Sequence, residues 1–189
     1  NFTGDFSVNF GGKAKGTAGP VAAPLLSSIG GNVYYDQNND GIFQNTESPI
    51  PGTKVSLTGV NDAGQLVNLF TNTLPDGSYL FTNLRPGTYE LTEAQPSGYL
   101  DGKDTIGTPG GTTGADTFTA IALAAGVNGV NNNFGEILPA SLAGFVYYDI
   151  NDNGIKESGE PGIGGATVTL SGTDDLGNPV NLTTTSNGT

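Results

Sequence analysis

The chain has 189 residues, with 6 Lys and Arg against 18 Asp and Glu, a net charge of −12 and no Cys, His, Met or Trp. So few cations cannot form a basic patch, which speaks against nucleic acid as a partner. The missing Cys and His remove disulfides, thiolate centres and the commonest general base, and leave oxygen ligands suited to hard cations such as calcium.

Gly is abundant, but the 35% hydrophobic content falls in alternating, strand-like runs rather than in a disordered pattern. No run of 18 apolar residues reads as a membrane span. Without Met or a signal-peptide pattern, the sequence reads as a mature terminus, a processed product or an internal slice.

In chain order, Asn1–Phe10 places Phe2, Phe6, Val8 and Phe10 on one face of an extended segment. A Gly/Ala/Pro/Ser-rich linker, Gly11–Ser28, follows. Alternation and β-branched or aromatic content then predict strands at Asn32–Tyr35, Lys54–Val60, Leu66–Thr71, Ser78–Phe81, Gly87–Thr92, Thr117–Ala122 and Asn131–Ile137. Turns fall at Asn61-Asp62-Ala63-Gly64, Pro75-Asp76-Gly77 and Arg85-Pro86-Gly87. Ala120–Ala125 comes nearest to a helix, but Thr117-Phe118-Thr119 before it and Gly126 after it favour a strand.

A shift of 113 residues aligns Gly30–Asn72 with Ala143–Thr185 at 20 of 43 positions. Val33/Val146, Tyr34/Tyr147, Tyr35/Tyr148, Val55/Val168 and Leu57/Leu170 are among the identities. The expected fold is all-β: tandem prealbumin/Ig-like β-sandwich domains, the second incomplete within this chain. Residues 1–28 form the N-terminal strand and linker, 29–138 the first sandwich, and 139–189 part of a second with its first strand, loop and next two strands. Val8-Asn9-Phe10-Gly11 is similar to Asn132-Asn133-Phe134-Gly135, the closing strand of the first repeat. A half sandwich exposes unpaired edges and an apolar face.

Each repeat carries a twelve-residue loop of the form D-x-[DN]-x-[DN]-G-x5-E after its Val-Tyr-Tyr strand. Calcium takes six to eight oxygens, and such a loop offers them at positions 1, 3, 5, 7 through its carbonyl, 9 and 12, with Gly at 6 for the bend. The first loop thus assigns Asp36, Asn38, Asp40, the Ile42 carbonyl, Gln44 and Glu47; the second assigns Asp149, Asn151, Asn153, the Ile155 carbonyl, Glu157 and Glu160. Three ligand carboxylates in each loop, Asp36/Asp40/Glu47 and Asp149/Glu157/Glu160, repel one another until a cation neutralises them.

The remaining acids carry weaker signals. Asp101, Asp104 and Asp116 are able to add a ligand but read as solvated loop residues, and Asp62 and Asp175 as turn caps. Each Tyr pair is expected to put one ring in the core and one on the surface rather than to form a sugar platform. Asn1, Asn181 and Asn187 match the N-glycosylation pattern, and Thr183–Ser186 is a candidate for O-linked glycans.

The motif Val-Tyr-Tyr-Asp-x-Asn-x-[Asp/Asn]-Gly-Ile, followed by Val-x-Leu, resembles the SdrD B-like repeats of bacterial surface proteins. Asp76-Gly77-Ser78-Tyr79-Leu80-Phe81 and Pro86-Gly87-Thr88-Tyr89-Glu90-Leu91-Thr92-Glu93 resemble the later strands of that family. The resemblance implies a Cna B-type sandwich, calcium in the first loop and a rigid stalk. Related domains often carry a Lys–Asn isopeptide bond, which is not expected here because Gly31–Tyr35 holds no Lys.

The expected function is therefore a non-catalytic structural subunit of an extracellular fibre or surface stalk. Its partners would be copies of itself, joined head to tail with residues 1–10 donating a strand to the second repeat, or neighbouring tandem repeats. The alternative is an adhesin module that binds a ligand or glycan.

Overall fold

The computed structural model describes residues 25–188; the Asn1–Phe10 strand and its donor role lie outside them. The chain divides into two compact units between Pro139 and Ala140. No helix occurs among the described residues.

The strands of the first unit are β1 (Ser27–Tyr35), β2 (Ser48–Pro49), β3 (Lys54–Asn61), β4 (Leu66–Asn72), β5 (Ser78–Leu84), β6 (Gly87–Glu93), β7 (Leu100–Asp101), β8 (Thr112–Gly114), β9 (Thr117–Leu123), β10 (Asn128–Gly129) and β11 (Phe134–Ile137). One sheet runs β10-β1-β11-β7, with β2 and β5 also paired to β1, and the other runs β4-β3-β6-β9-β8. β1 starts inside the expected linker because Ser27 and Ile29 pair with Leu84 and Phe81 of β5. The short strands β2, β7, β8 and β10 span two or three residues each, too few to show a periodicity.

Alternation places Val55 and Leu57 of β3 and Tyr89 and Leu91 of β6 in the core. In β9 the inward residues Phe118 and Ile121 are three apart. Ala120, at φ 54°, lies where the β6–β9 register shifts, and this bulge resets the alternation. Phe118 stacks on Phe134 at 4.5 Å.

The first and last strands of the unit run side by side and parallel, with Val33 opposite Phe134 and Tyr35 opposite Glu136. A Cβ on Gly31 would lie 1.8 Å from the Asn132 carbonyl, so this approach requires Gly. The closing strand was expected from Asn131 but joins the β1 ladder only from Phe134. Asn131 is left-handed at φ 60°, the Asn133 backbone pairs with Thr105 instead, and the side chains of the two asparagines add bonds to β1. Asn132 Nδ2 donates to the Gly30 carbonyl (3.1 Å), and Asn133 Oδ1 accepts from the Asn32 amide (3.0 Å).

The second unit is a hairpin of β12 (Gly164–Thr173) and β13 (Pro179–Asn187). Its register repeats that of β3 and β4: Leu57 faces Leu69, and Leu170 faces Leu182. Of the first strand expected in this repeat, a single bridge forms, Tyr147 to Gly162, at the register of Tyr34 to Pro49. β1 is held by β5, β10 and β11, whose counterparts would lie beyond residue 189. Val168 and Leu170 are accordingly 46% and 44% exposed, whereas Val55 and Leu57 are fully buried.

The turns are capped one residue earlier than expected. The Asn61 and Asp174 side chains accept the amides of Gln65 and Asn178 at 3.0 and 2.6 Å, while Asp62 pairs with Arg85.

Burial at these paired positions predicts unequal costs. Leu57→Ala should destabilise the chain by about 2–5 kcal/mol, and Leu170→Ala by less than about 1 kcal/mol, as measured by urea unfolding. Equal losses would contradict the exposure of the hairpin.

Candidate metal centres

The loop after β1 closes on its first and last residues. Asp36 is fully buried, and its two carboxylate oxygens accept the amides of Asp40 (3.1 Å) and Gly41 (2.6 Å). Glu47 is also buried and accepts the amides of Gln37 (3.1 Å) and Gln44 (2.9 Å). Asn39 and Gly41 are left-handed, at φ 53° and 79°. Asn tolerates that conformation, and Gly adopts it without strain. Thr105 Oγ1 clamps the bend by donating to the Gly41 carbonyl (2.7 Å).

The loop in the second unit is wired the same way. Asp149 accepts from Asn153 (3.2 Å) and Gly154 (2.7 Å), and Glu160 from Ile150 (2.9 Å) and Glu157 (3.1 Å). Asp152 and Gly154 are left-handed at φ 57° and 75°, the same two positions. The Tyr34 ring packs on Phe43 at 4.7 Å; its counterpart Tyr147 instead meets the Lys156 ammonium at 5.8 Å. Tyr34 is buried, and Tyr35 packs partly against the core beside Tyr99 rather than lying free on the surface.

The loops differ in where the third carboxylate stands. In the first it is Asp40, whose Oδ2 accepts from Asn38 Nδ2 (3.0 Å) and Gln44 Nε2 (2.6 Å). In the second it is Glu157, which accepts from Asn151 Nδ2 (2.8 Å) and Asn153 Nδ2 (3.1 Å). Two carboxamides thus surround the central charge in each loop, and rotating either carboxamide presents its oxygen instead. The Ile42 and Ile155 side chains point into solvent, leaving the main-chain carbonyl as the group each can offer. The donor set fits a hard, oxygen-seeking cation.

A second constellation lies outside both loops. Glu93, Asp116 and Glu136 place one carboxylate oxygen each within 4.8 Å of one another, and Asp101, Asp104 and Asp116 do the same. Among the described residues these are the two groups of three acids that meet that separation; neither loop forms one. Asp101, Asp104 and Asp116 are therefore not solvated singly as expected but gathered and half-buried. Glu93 and Glu136 were missed as site residues, although their signal was present. Glu93 follows Tyr89 and Leu91 on the inward face of β6, and Glu136 follows Phe134 on that of β11.

Gly135 links this cluster to the first loop. Its amide donates to Asp104 Oδ1 (3.2 Å), and a Cβ there would lie 3.2 Å from the Tyr34 hydroxyl and 3.4 Å from the Asp36 Cβ. Burial, together with the charges of Asp36, Glu47, Asp40 and Asp104, raises the Tyr34 pKa well above its ordinary value.

A β-sandwich followed by a hairpin that repeats part of it, each with the same Asp/Asn-Gly loop ahead of its paired strands, is the arrangement of a tandem-repeat module. The chain belongs to the SdrD B-like domain family, which matches residues 27–133 and 140–189. It is 34% identical to serine-aspartate repeat-containing protein F of Staphylococcus epidermidis over 84% of this chain and 9% of that protein. It is 31% identical to a fibrinogen-binding protein of the same species over 97% of this chain and 17% of that protein. The chain thus spans a small fraction of these relatives' length. The shaft pilin SpaA of Lactobacillus rhamnosus GG aligns over 82% of this chain and 64% of its own, at 13% identity and a TM-score of 0.40. Family membership assigns the chain to the cell surface. No helix among the described residues is long and apolar enough to cross a membrane.

Burial raises the pKa of Glu93, and the neighbouring Glu136 charge adds to the shift; Glu136 is itself raised by burial, against a hydrogen bond from Gln95. Burial and Asp101 push Asp104 up to about 8, and burial also raises Asp116. Each group holds its proton more tightly folded than unfolded. Their stabilisation is complete below the ordinary carboxylate pKa and is lost as pH rises through the folded values. In EDTA, the thermal midpoint should therefore fall from about pH 5 to about pH 9, as followed by circular dichroism. A rise across that range would contradict these shifts.

Proposed function

We propose that the chain is a non-catalytic section of an extracellular stalk, built from β-sandwich repeats that calcium stiffens and that assemble end to end. The supporting observation is the shared wiring of the loops. The same positions are left-handed, the same amides hold the first and last carboxylates, and three acids stand at ligand positions in each loop although the third moves from Asp40 to Glu157. Retention of charge at a changed position is what cation neutralisation requires.

Asp36, Asn38, Asp40, the Ile42 carbonyl, Gln44 and Glu47 are the proposed ligands in the first repeat. Asp149, Asn151, Asn153, the Ile155 carbonyl, Glu157 and Glu160 are their counterparts in the second. Calcium supplies no reaction here; it neutralises each loop and fixes the turn between β1 and the strand that follows it. The adhesin alternative and the glycan candidates gain no observation beyond the sequence patterns.

End-to-end assembly covers the exposed Val168, Leu170 and Leu182 by an added strand. Residues 1–10 of a neighbouring copy offer Phe2, Phe6, Val8 and Phe10 at alternating positions for that role.

Asp40→Asn and Glu157→Gln preserve side-chain shape but remove one charge each. Each should weaken calcium binding at its own loop by about tenfold or more in calorimetric titrations. Unchanged affinity in both would sink the loop assignment. Deleting residues 1–12 should abolish assembly in sedimentation velocity; assembly that persists would assign the covering strand to a neighbouring tandem repeat.

A further inference from the structure

We infer that the free edge of β4 is a self-pairing surface: β4 of one chain adds antiparallel to β4 of a second copy, about a two-fold axis through Asn68. β4 ends the order β4-β3-β6-β9-β8 and, among the described residues, pairs with β3 alone. Its register is unbroken, from Lys54 opposite Asn72 to Val60 opposite Leu66. Edge strands are commonly blunted by a charge, a proline or a bulge. β4 has none of these, and residues 63–75 hold no charged side chain although the chain carries −12. An uncharged strip lets two acidic copies approach where charged surfaces would repel.

The backbone fixes which groups are free. The Asn61 amide donates to the Gln65 carbonyl (3.0 Å), and the Thr73 amide to the Thr53 carbonyl (2.9 Å), one at each end of the β3–β4 ladder. Antiparallel pairs alternate between bonded and unbonded. Val67, Leu69 and Thr71 therefore direct their main-chain groups to β3, and Leu66, Asn68 and Phe70 direct theirs to the open edge. A second β4 centred on Asn68 matches them: Asn68 faces Asn68, and Leu66 faces Phe70 in both directions, each pair exchanging both hydrogen bonds. An axis at Val67 or Leu69 sets Asn68 against Leu66 or Phe70 instead. An axis at Phe70 needs the Leu74 amide, which already donates to the Ser78 carbonyl (2.9 Å). An axis at Leu66 needs the Asp62 amide, which donates to the Pro86 carbonyl (2.7 Å).

The side chains are symmetric about the same residue. Leu66 and Phe70 stand on the outer face of the sheet, 86% and 69% exposed, and each covers the other across the junction. On the inner face Val67 meets Leu69. Both line an open groove of about 520 Å³ that reaches Thr82 and Asn83 of β5, so the pairing extends the core into it. The two five-stranded sheets become one.

The second repeat supplies a contrast. Pro179 stands at the position of Leu66, and Thr183 at that of Phe70. Proline has no N–H to offer the edge, and threonine lacks the aromatic ring. β13 is thus blocked at the two positions on which the pairing of β4 relies. The contact is isologous and closes at two copies. It needs no metal and is distinct from the open-ended joint assigned to residues 1–10.

The chain has no Cys, so Asn68→Cys carries a single nitroxide spin label. Facing residues of a bonded antiparallel pair lie about 5.5 Å apart at Cα, close enough for strong dipolar broadening. The full chain in EDTA should give a broadened spectrum that sharpens on dilution with unlabelled chain. The same label at Asn181→Cys, the equivalent site on β13, should stay sharp. Leu66→Pro combined with Phe70→Thr, which copies the second repeat, should sharpen the Asn68 label. It should also lower the weight-average mass of the unlabelled protein about twofold in light scattering. Should that variant fail to fold, Leu66→Lys, which keeps every backbone group, gives the same reading. A mass that these substitutions leave unchanged overturns the inference. So does a sharp spectrum at Asn68, or broadening there that survives the substitutions or is matched at Asn181.

Discussion

The parallel contact between β1 and β11 is the constraint on which the first unit depends. It joins the first and last strands of the sandwich, and it works only because Gly31 lets the Asn132 carbonyl approach where a side chain would stand. The same contact carries the chemistry. The Asp36 amide donates to the Glu136 carbonyl at 2.8 Å, so the first acid of the loop and the last acid of the cluster begin from one ladder bond. Gly135, between the two strands' acids, has no room for a side chain, because a Cβ there would lie 2.7 Å from the Lys103 carbonyl. The contact that closes the sandwich therefore also concentrates negative charge.

That concentration is unusual for a protein interior. Ionised carboxylates are expelled from buried positions unless paired, protonated or metal-bound. Here they sit at the ends of strands whose other inward residues are Tyr89, Leu91 and Phe134. The hydrophobic alternation anchors each strand and carries its terminal acid inward with it. Burial then raises the pKa of each of Glu93, Asp104, Asp116 and Glu136.

Much of this was legible in the sequence because the repeat tests itself. A pattern recurring at 113 residues in the same strand context gave the hairpin register and the loop boundaries, and β12–β13 reproduces β3–β4 residue for residue. The cluster was harder to see because its members come from four separate segments between Glu93 and Glu136. Asp101, Asp104 and Asp116 fall in a stretch rich in Gly and Thr with little periodicity, where only the tertiary fold places them. Glu93 and Glu136 were within reach, since counting by twos from Tyr89 and from Phe134 points both inward. The late start of the β1 ladder at Phe134 was not, because the Asn133 backbone pairs with Thr105 instead, a choice that alternation does not encode.

The two loops share wiring but not support, and this difference bears on how a stalk of such repeats would work. In the first unit Gly41 is buried, Thr105 clamps its carbonyl, and Asp36 is sealed beneath β11. In the second unit Asp149 is only partly covered, and residues corresponding to Thr105 or β11 would lie beyond position 189. Cation affinity in loops of this type rises with rigidity. The second loop should therefore approach the strength of the first only once the strands that flank it are in place. On the proposed calcium reading, completion of the sandwich and tightening of its loop are linked equilibria, and each stabilises the other by the same factor.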